Sequence, residues 1–469
     1  MKTTLYASDY AKLDSNIITG GGTDDTDVLQ GLLDKALEWG HLTLILDGAA
    51  LVRGLDVHSN TTIICPDAAC GLYLADNCDR AVLRNSNRTF GEIKTKNVTI
   101  QGGTYNHNCL HQVHHVNVEG QNLGYQHPNE DGEFLPVIAM EFYGIENLTV
   151  RDIKIRDMRT YAFCAGNFKR VTIENTWFEL ENIIEYGNQD GFHFWGPGQF
   201  LTVKNVGGRT EDDFMNIGSD ERDGFSSLTD VTVDGVYLDH AWQAIRLLSC
   251  GTGLLDRVTV RNVTGTVGFP FYVNTWEIYK NKLGNFGNII IENVDLKLEP
   301  CPALDMVTPY LFRIGGNIES LTLRNIAWHD VYDGRTPIWV GYLRGSVTEA
   351  LEELPHIKNF TVDGIRIVDT GEKPNTDAYM MLRGKIDRVT VRNAEVVRNE
   401  QDSHSGCLIK TLDQAKIDRI LVDLPDIENL DSVLDLTKGE TEKAIIRKPI
   451  FKNIESKVKA APDTQTEEI

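Results

Sequence analysis

Asn97-Val98-Thr99-Ile100-Gln101-Gly102 returns as Asn147-Leu148-Thr149-Val150-Arg151-Asp152, and again as Arg170-Val171-Thr172-Ile173-Glu174-Asn175. Further copies begin at Phe200, Asp230, Arg257, Asn288, Ser320, Asn359 and Arg388, with weaker echoes at Asn60 and Arg419. Most neighbouring copies lie 23 to 32 residues apart, a solenoid period. Each copy alternates apolar and polar residues, so it reads as a strand with one buried face. Shorter strand-like phrases fall between copies: YAFCAG, GFHFWG, FMNIGS, AIRLLS and FYVNTW. No convincing helical periodicity separates them, which excludes leucine-rich and ankyrin-type arrays. What remains is an all-β chain of several short strands per turn, a right-handed parallel β-helix.

One domain is expected over residues 1–455, with a cap over 1–40 and a loop insertion over 106–133. Stacked coils protect every strand edge except those at the ends. TDDTDVLQGLLDKALEWG, from Thr23, supplies one end: Thr and Asp precede an amphipathic run of about three turns. The polar segment 456–469 is expected to be a flexible tail. Asn60, Asn97, Asn147, Asn262 and Asn359 each begin an N-x-T triplet. Their common place at the entry to a strand favours a turn role over glycosylation.

Hydrophobic residues make up 41% of the chain, enough for a long continuous core, and the formal net charge is -22. That charge argues against a nucleic-acid partner, which needs a basic face. No run of roughly 18 apolar residues suggests a membrane span. The N-terminal MKTTLYASDYAKLDS lacks the apolar centre of a secretory leader. The expected location is therefore the cytoplasm, or outside the cell after removal of a leader. The eight cysteines show no paired C-x-x-C spacing and read as small buried residues, with no zinc site indicated. A bridge among Cys65, Cys70 and Cys78 stays open.

Two acidic clusters fall in consecutive coils: Asn188-Gln189-Asp190-Gly191 and Glu211-Asp212-Asp213-Phe214. Equivalent positions on adjacent coils stack about 4.8 Å apart, so Asp190 is expected on the same face as Asp212 and Asp213. Crowded carboxylates repel, which keeps one protonated. A protonated acid beside an ionised one is what glycoside hydrolysis uses. Strand alternation sends Asn216, Arg246, Tyr272 and Asn274 outward beside this cluster, along with His193 and Trp195. An outward Trp195 or Trp276 would suit stacking on a sugar face. The insertion carries His107, His111, His114, His115 and His127. His111-x-x-His114 has a metal-like spacing but no predicted helix to present it, so a wall of the cleft is the better reading. No metal or other cofactor is expected.

These residues resemble the polygalacturonase family of glycoside hydrolases, family 28. GGGTDDTDVLQGLLDKA (20–36) is similar to its N-terminal cap, and AMEFYGIENLTVRDIKI (139–155) to its strand ahead of the site. Asn188-Gln189-Asp190-Gly191 matches its Asn-Thr-Asp-Gly motif, and Asp212-Asp213 its paired aspartates. The likeness runs from about residue 18 to 300. It implies an inverting mechanism without cofactor, with Asp212 as general acid and Asp190 with Asp213 holding and activating water.

Two motifs depart from the family. Trp242-Gln243-Ala244 stands where it has Gly-His-Gly, and Tyr272-Val273-Asn274 where it has Arg-x-Lys. Those cations would bind a uronate carboxylate, so a neutral or differently substituted sugar is implied, unless Arg246 substitutes. The expected partner is an oligo- or polysaccharide. Asn188, His193, Trp195, Asn216, Gln243, Arg246, Tyr272, Asn274 and Trp276 are the candidate contacts. Alternatives are a lyase, epimerase or intramolecular glycosyl (fructo)transferase, and a non-catalytic carbohydrate-binding β-helix. A homo-oligomer is compatible with the repeat.

Overall fold

The computed structural model describes residues 3–112, 137–184, 188–275, 283–299, 310–329, 331, 334–341 and 354–469. The chain is an all-β, right-handed parallel β-helix with an N-terminal helical cap. It divides into two compact units, residues 1–217 with 236–241, and residues 218–235 with 242–469.

The repeated phrase is the ladder of the coil. In the first unit Val98, Leu148, Val171 and Leu201 occupy one register column, and Thr99, Thr149, Thr172 and Thr202 the next. In the second, Val258, Ile289, Leu321, Phe360, Val389 and Ile420 form the corresponding inward column. The apolar members are buried, while the threonines are half-buried except Thr390, which is buried.

The asparagines that open the phrase form their own stack. Asn60, Asn97 and Asn147 all adopt left-handed backbone conformations, which Asn tolerates better than most residues. Asn97 Nδ2 donates to Asn60 Oδ1 at 2.8 Å, and Asn147 Nδ2 to Asn97 Oδ1 at 2.9 Å. Asn262, Asn293 and Asn325, which close the phrase, form a second left-handed, hydrogen-bonded stack in the second unit. These amides bind the coil turns to one another, in keeping with the turn role expected of the triplets.

The cap comprises the helices Thr26–Leu33 and Lys35–Trp39. Asp25 precedes the first helix but makes no capping bond. Its buried carboxylate instead accepts from the backbone N–H groups of Lys12 and Leu13. Asp24 serves the helix start, accepting from Thr26 N and Thr26 Oγ1. Gly40 closes the second helix in a left-handed conformation, as helix C-termini often require.

The C-terminal segment corrects the expectation of a flexible tail. Ile450–Ala460 pairs in parallel with Asp426–Leu436, and Gln465–Glu468 with Glu440–Arg447. Backbone pairing holds these strands with little side-chain burial, so their polar composition concealed them. Cys65, Cys70 and Cys78 are free thiols, the first two buried. The open question of a bridge among them is thereby answered.

Candidate functional site

The strand Phe192–Arg209 sets the first part of the site by its alternation. Phe192 and Phe194 face the coil interior. In register with them stand Met140 and Phe163 in one column, Phe142 and Ala165 in the next. The Phe178 and Phe192 rings lie 4.6 Å apart, and Phe178 and Phe214 5.4 Å. Each such buried ring contributes about 1.5–3 kcal/mol of apolar transfer, enough to fix the register here. With the phenylalanines turned inward, His193 and Trp195 turn to the other face of the strand.

Gly191 is required by a close approach. A Cβ there would sit 2.3 Å from Phe214 O and 2.5 Å from the Phe178 ring. Its N–H donates to Asp213 O at 2.9 Å. This contact binds the coil carrying Asp190 to the coil carrying Asp213. Asn188 begins the turn in a left-handed conformation, with Asp190 N donating to its carbonyl. Gln189 is fully buried and locks that turn. Its Nε2 donates to Met158 O and Asn182 O, and its Oε1 accepts from Ile184 N.

Asp190 and Asp213 are each 1% exposed and His193 is 2% exposed. One ligating atom from each lies within 4.8 Å of the others. Stacking on adjacent coils therefore brings Asp190 and Asp213 together. Asp212 precedes Asp213 and is only half-buried.

His193 Nε2 lies 2.7 Å from Asp190 Oδ2, and Asn216 Nδ2 lies 3.2 Å from His193 Nδ1. The Asn216 amide donates to Nδ1, so Nε2 carries the ring proton and donates it to the carboxylate. Tyr161 stacks on the imidazole, centroids 3.6 Å apart and planes within 3°. His193 is thus held on three sides. The sequence reading had it as a sugar contact. Its place three residues after Asp190, on the same side of the strand, was the signal that could have linked them.

Trp195 lies opposite the interior as expected but is not presented to solvent. It is 6% exposed and packs with Ile138, Tyr143, Tyr161 and Cys164. Tyr143, Gly166 and Trp195 share a register column. The missing side chain at Gly166 lets the two rings lie parallel, 6.2 Å between centroids. Trp195 therefore packs as core and offers no open sugar platform.

The other candidates belong to the second unit. Gln243–Ser249 pairs with Phe269–Thr275, setting Arg246 beside Tyr272 and Leu248 beside Asn274. Tyr272 and Asn274 are buried; Gln243 and Arg246 are half-buried. The Arg246 guanidinium lies 5.8 Å from the Tyr272 ring centroid. Arg313, from the next strand in the column, lies 5.8 Å from the same ring and 5.0 Å from that of Phe269. The sequence reading missed Arg313. Its phrase YLFRIG alternates like FYVNTW, and that parallel could have exposed it. Trp276 lies outside the described residues.

The His-rich segment is partly described. His107 is buried: its Nε2 donates to Arg80 O at 3.1 Å and its Nδ1 accepts from Arg159 N at 3.0 Å. Burial pushes its pKa down to about 4. His111 Nδ1 meets Asn108 Oδ1. His114, His115 and His127 lie outside the described residues, as does the cleft-wall reading that rested on them. No described helix is long and apolar enough to cross a membrane.

No protein-family model matches the sequence, and no curated relative does. Solved structures do match. The family 28 exopolygalacturonase of Yersinia enterocolitica superposes with a TM-score of 0.50 at 11% identity, over 99% of this chain and 79% of its own. The pre-mature gene product 12 of bacteriophage phi29 gives 0.56 at 14% identity, over 98% of this chain and 57% of its own. The hyperthermoactive exopolygalacturonase of Thermotoga maritima gives 0.48 at 13% identity, over 96% and 92%. At these identities the likeness is one of fold: the chain is a divergent β-helix of the architecture those proteins share.

Proposed function

We propose that the protein is an inverting glycoside hydrolase acting on an oligo- or polysaccharide. The observation that carries this reading is the convergence of two almost fully buried carboxylates, Asp190 and Asp213, from adjacent coils. Asp212 stands beside them, half-buried and open to a leaving group. In this reading Asp212 protonates the glycosidic oxygen. Asp190 and Asp213 hold a water and take its proton as it attacks the anomeric carbon from the opposite face. The imidazole of His193 keeps Asp190 oriented and, by donating to it, favours its ionised form.

The resemblance of Asn188-Gln189-Asp190-Gly191 and Asp212-Asp213 to the family 28 motifs supports the assignment. The fold likeness to the Yersinia exopolygalacturonase is compatible with it. The second unit carries cationic groups of its own, Arg246 and Arg313 around Tyr272. The substrate panel should therefore include acidic as well as neutral sugars.

A second reading has one observation in its favour. A lyase or epimerase moves a proton on and off the sugar, and the His193 Nε2–H stands 2.7 Å from Asp190. Mass spectrometry of products from wild type and Asp212→Asn, over a panel of oligosaccharides, separates the two. A gain of one water per cleavage, lost in Asp212→Asn, supports hydrolysis. Unsaturated ends, or a gain of solvent deuterium without cleavage when the reaction is run in deuterium oxide, support the second reading.

A further inference from the structure

Asp190, His193 and Asp213 form a mixed nitrogen and oxygen donor set, and we propose that it binds a divalent first-row transition-metal ion. The proposal goes beyond the glycosidase reading, because it stands on donor geometry and holds whatever reaction the site performs.

Three observations support it. The first is distance. Ligands about 2.1 Å from a common tetrahedral ion lie about 3.4 Å apart. The donor atoms of Asp190, His193 and Asp213 already lie within 4.8 Å of one another, so side-chain rotations that move a donor by up to about an ångström would close the set.

The second is charge. Two carboxylates that are each 1% exposed have lost most of their hydration. A buried charge must be compensated or neutralised. His193 Nε2 meets Asp190 at 2.7 Å, so one imidazole and two carboxylates share the site. A divalent ion in the same place compensates both carboxylates together.

The third is what surrounds the imidazole. Metal-binding histidines are usually oriented by a partner on the other ring nitrogen. Asn216, which is not one of the three donors, occupies that place on Nδ1, and Tyr161 fixes the ring plane. Nε2 is thereby aimed at the carboxylates. On loading, the ion takes the Nε2 lone pair and the ring proton moves to Nδ1. The Asn216 amide reverses to offer its oxygen to that proton, so the hydrogen bond is kept.

The donor set also selects the ion. Calcium prefers six to eight oxygens and magnesium an octahedron of oxygens. One imidazole with two carboxylates suits zinc, cobalt, manganese or iron, and leaves a coordination position open.

Cobalt(II) is the probe, added to purified full-length chain freed of metal by chelator, and read by its visible d–d absorption. The expected result is saturable absorption at one ion per chain. His193→Gln and Asp213→Asn should lose it, and Asp212→Asn should retain it. Asn216→Ala should weaken the affinity about ten- to hundredfold. Thermal melting of each variant without metal checks that the fold persists. No absorption from wild type at millimolar cobalt would overturn the proposal, as would absorption unchanged in both His193→Gln and Asp213→Asn. Cobalt bound without cleavage of any carbohydrate would leave the metal site standing and remove the glycosidase reading. Cleavage by a chain that binds no cobalt would do the reverse.

Discussion

His193 and Asp190 lie three residues apart on one side of a turn and strand, with Nε2 2.7 Å from Oδ2 and both side chains sealed from solvent. A hydrogen bond to a buried charged group is worth about 1.5–3 kcal/mol. His193→Gln should therefore lower kcat by about ten- to hundredfold on a substrate the wild type cleaves, with a smaller change in KM. Steady-state kinetics on the same product assay checks this. An equal loss through KM alone would mean that His193 contacts sugar instead.

Gly191 predicts a stability effect. The Cβ of Gly191→Ala would meet Phe214 O at 2.3 Å, and a backbone carbonyl in a paired coil cannot move aside alone. Overpacking of this kind costs about 1–3 kcal/mol. The urea midpoint should fall accordingly. Activity should fall further than stability, because the shift moves Asp190 against Asp213.

Asp220 predicts a larger one. This fully buried carboxylate accepts from Cys250 N at 2.6 Å, Gly251 N at 2.8 Å and Gly253 N at 3.0 Å. Asp220→Ala would leave three buried donors unmet, at a cost of about 3 kcal/mol or more. Asp220→Asn keeps one acceptor oxygen and should lose less. Calorimetric melting of the two variants beside wild type tests the order.

His107 predicts a pH dependence. Its folded pKa is depressed to about 4 by burial, below an unfolded value of about 6.5. The unfolded chain therefore binds the extra proton first as pH falls. The stabilisation is fully present above about pH 6.5 and is lost as pH falls toward about 4, on the order of 3 kcal/mol in all. Urea unfolding of wild type and His107→Gln across that window should show a shallower pH slope for the variant. Equal slopes would contradict this assignment.

The solenoid was legible because it writes the same strand many times. Val98, Leu148, Val171 and Leu201 recur in sequence as they stack in space. The stacking of Asp190 near Asp213 followed from the same period. Less legible was anything decided by packing across the face of a coil. Trp195 alternates outward correctly, yet Gly166 opens a space beneath it that Tyr143 shares, and the ring is buried. His193 looked like a sugar contact because alternation gives a face and not a partner. The final strands escaped notice because Gln465–Glu468 is exposed throughout, so no apolar pattern marks it.

Asp190, Asp212 and Asp213 are proposed to hydrolyse a glycosidic bond together. The most direct measurement is the mass of the new reducing end when wild type, Asp190→Asn and Asp213→Asn act on acidic and neutral oligosaccharides in heavy-oxygen water. One heavy oxygen per cleavage is expected with wild type. Either variant should be slower by at least about a hundredfold. Products without solvent oxygen, or wild-type rates in both variants, would contradict it.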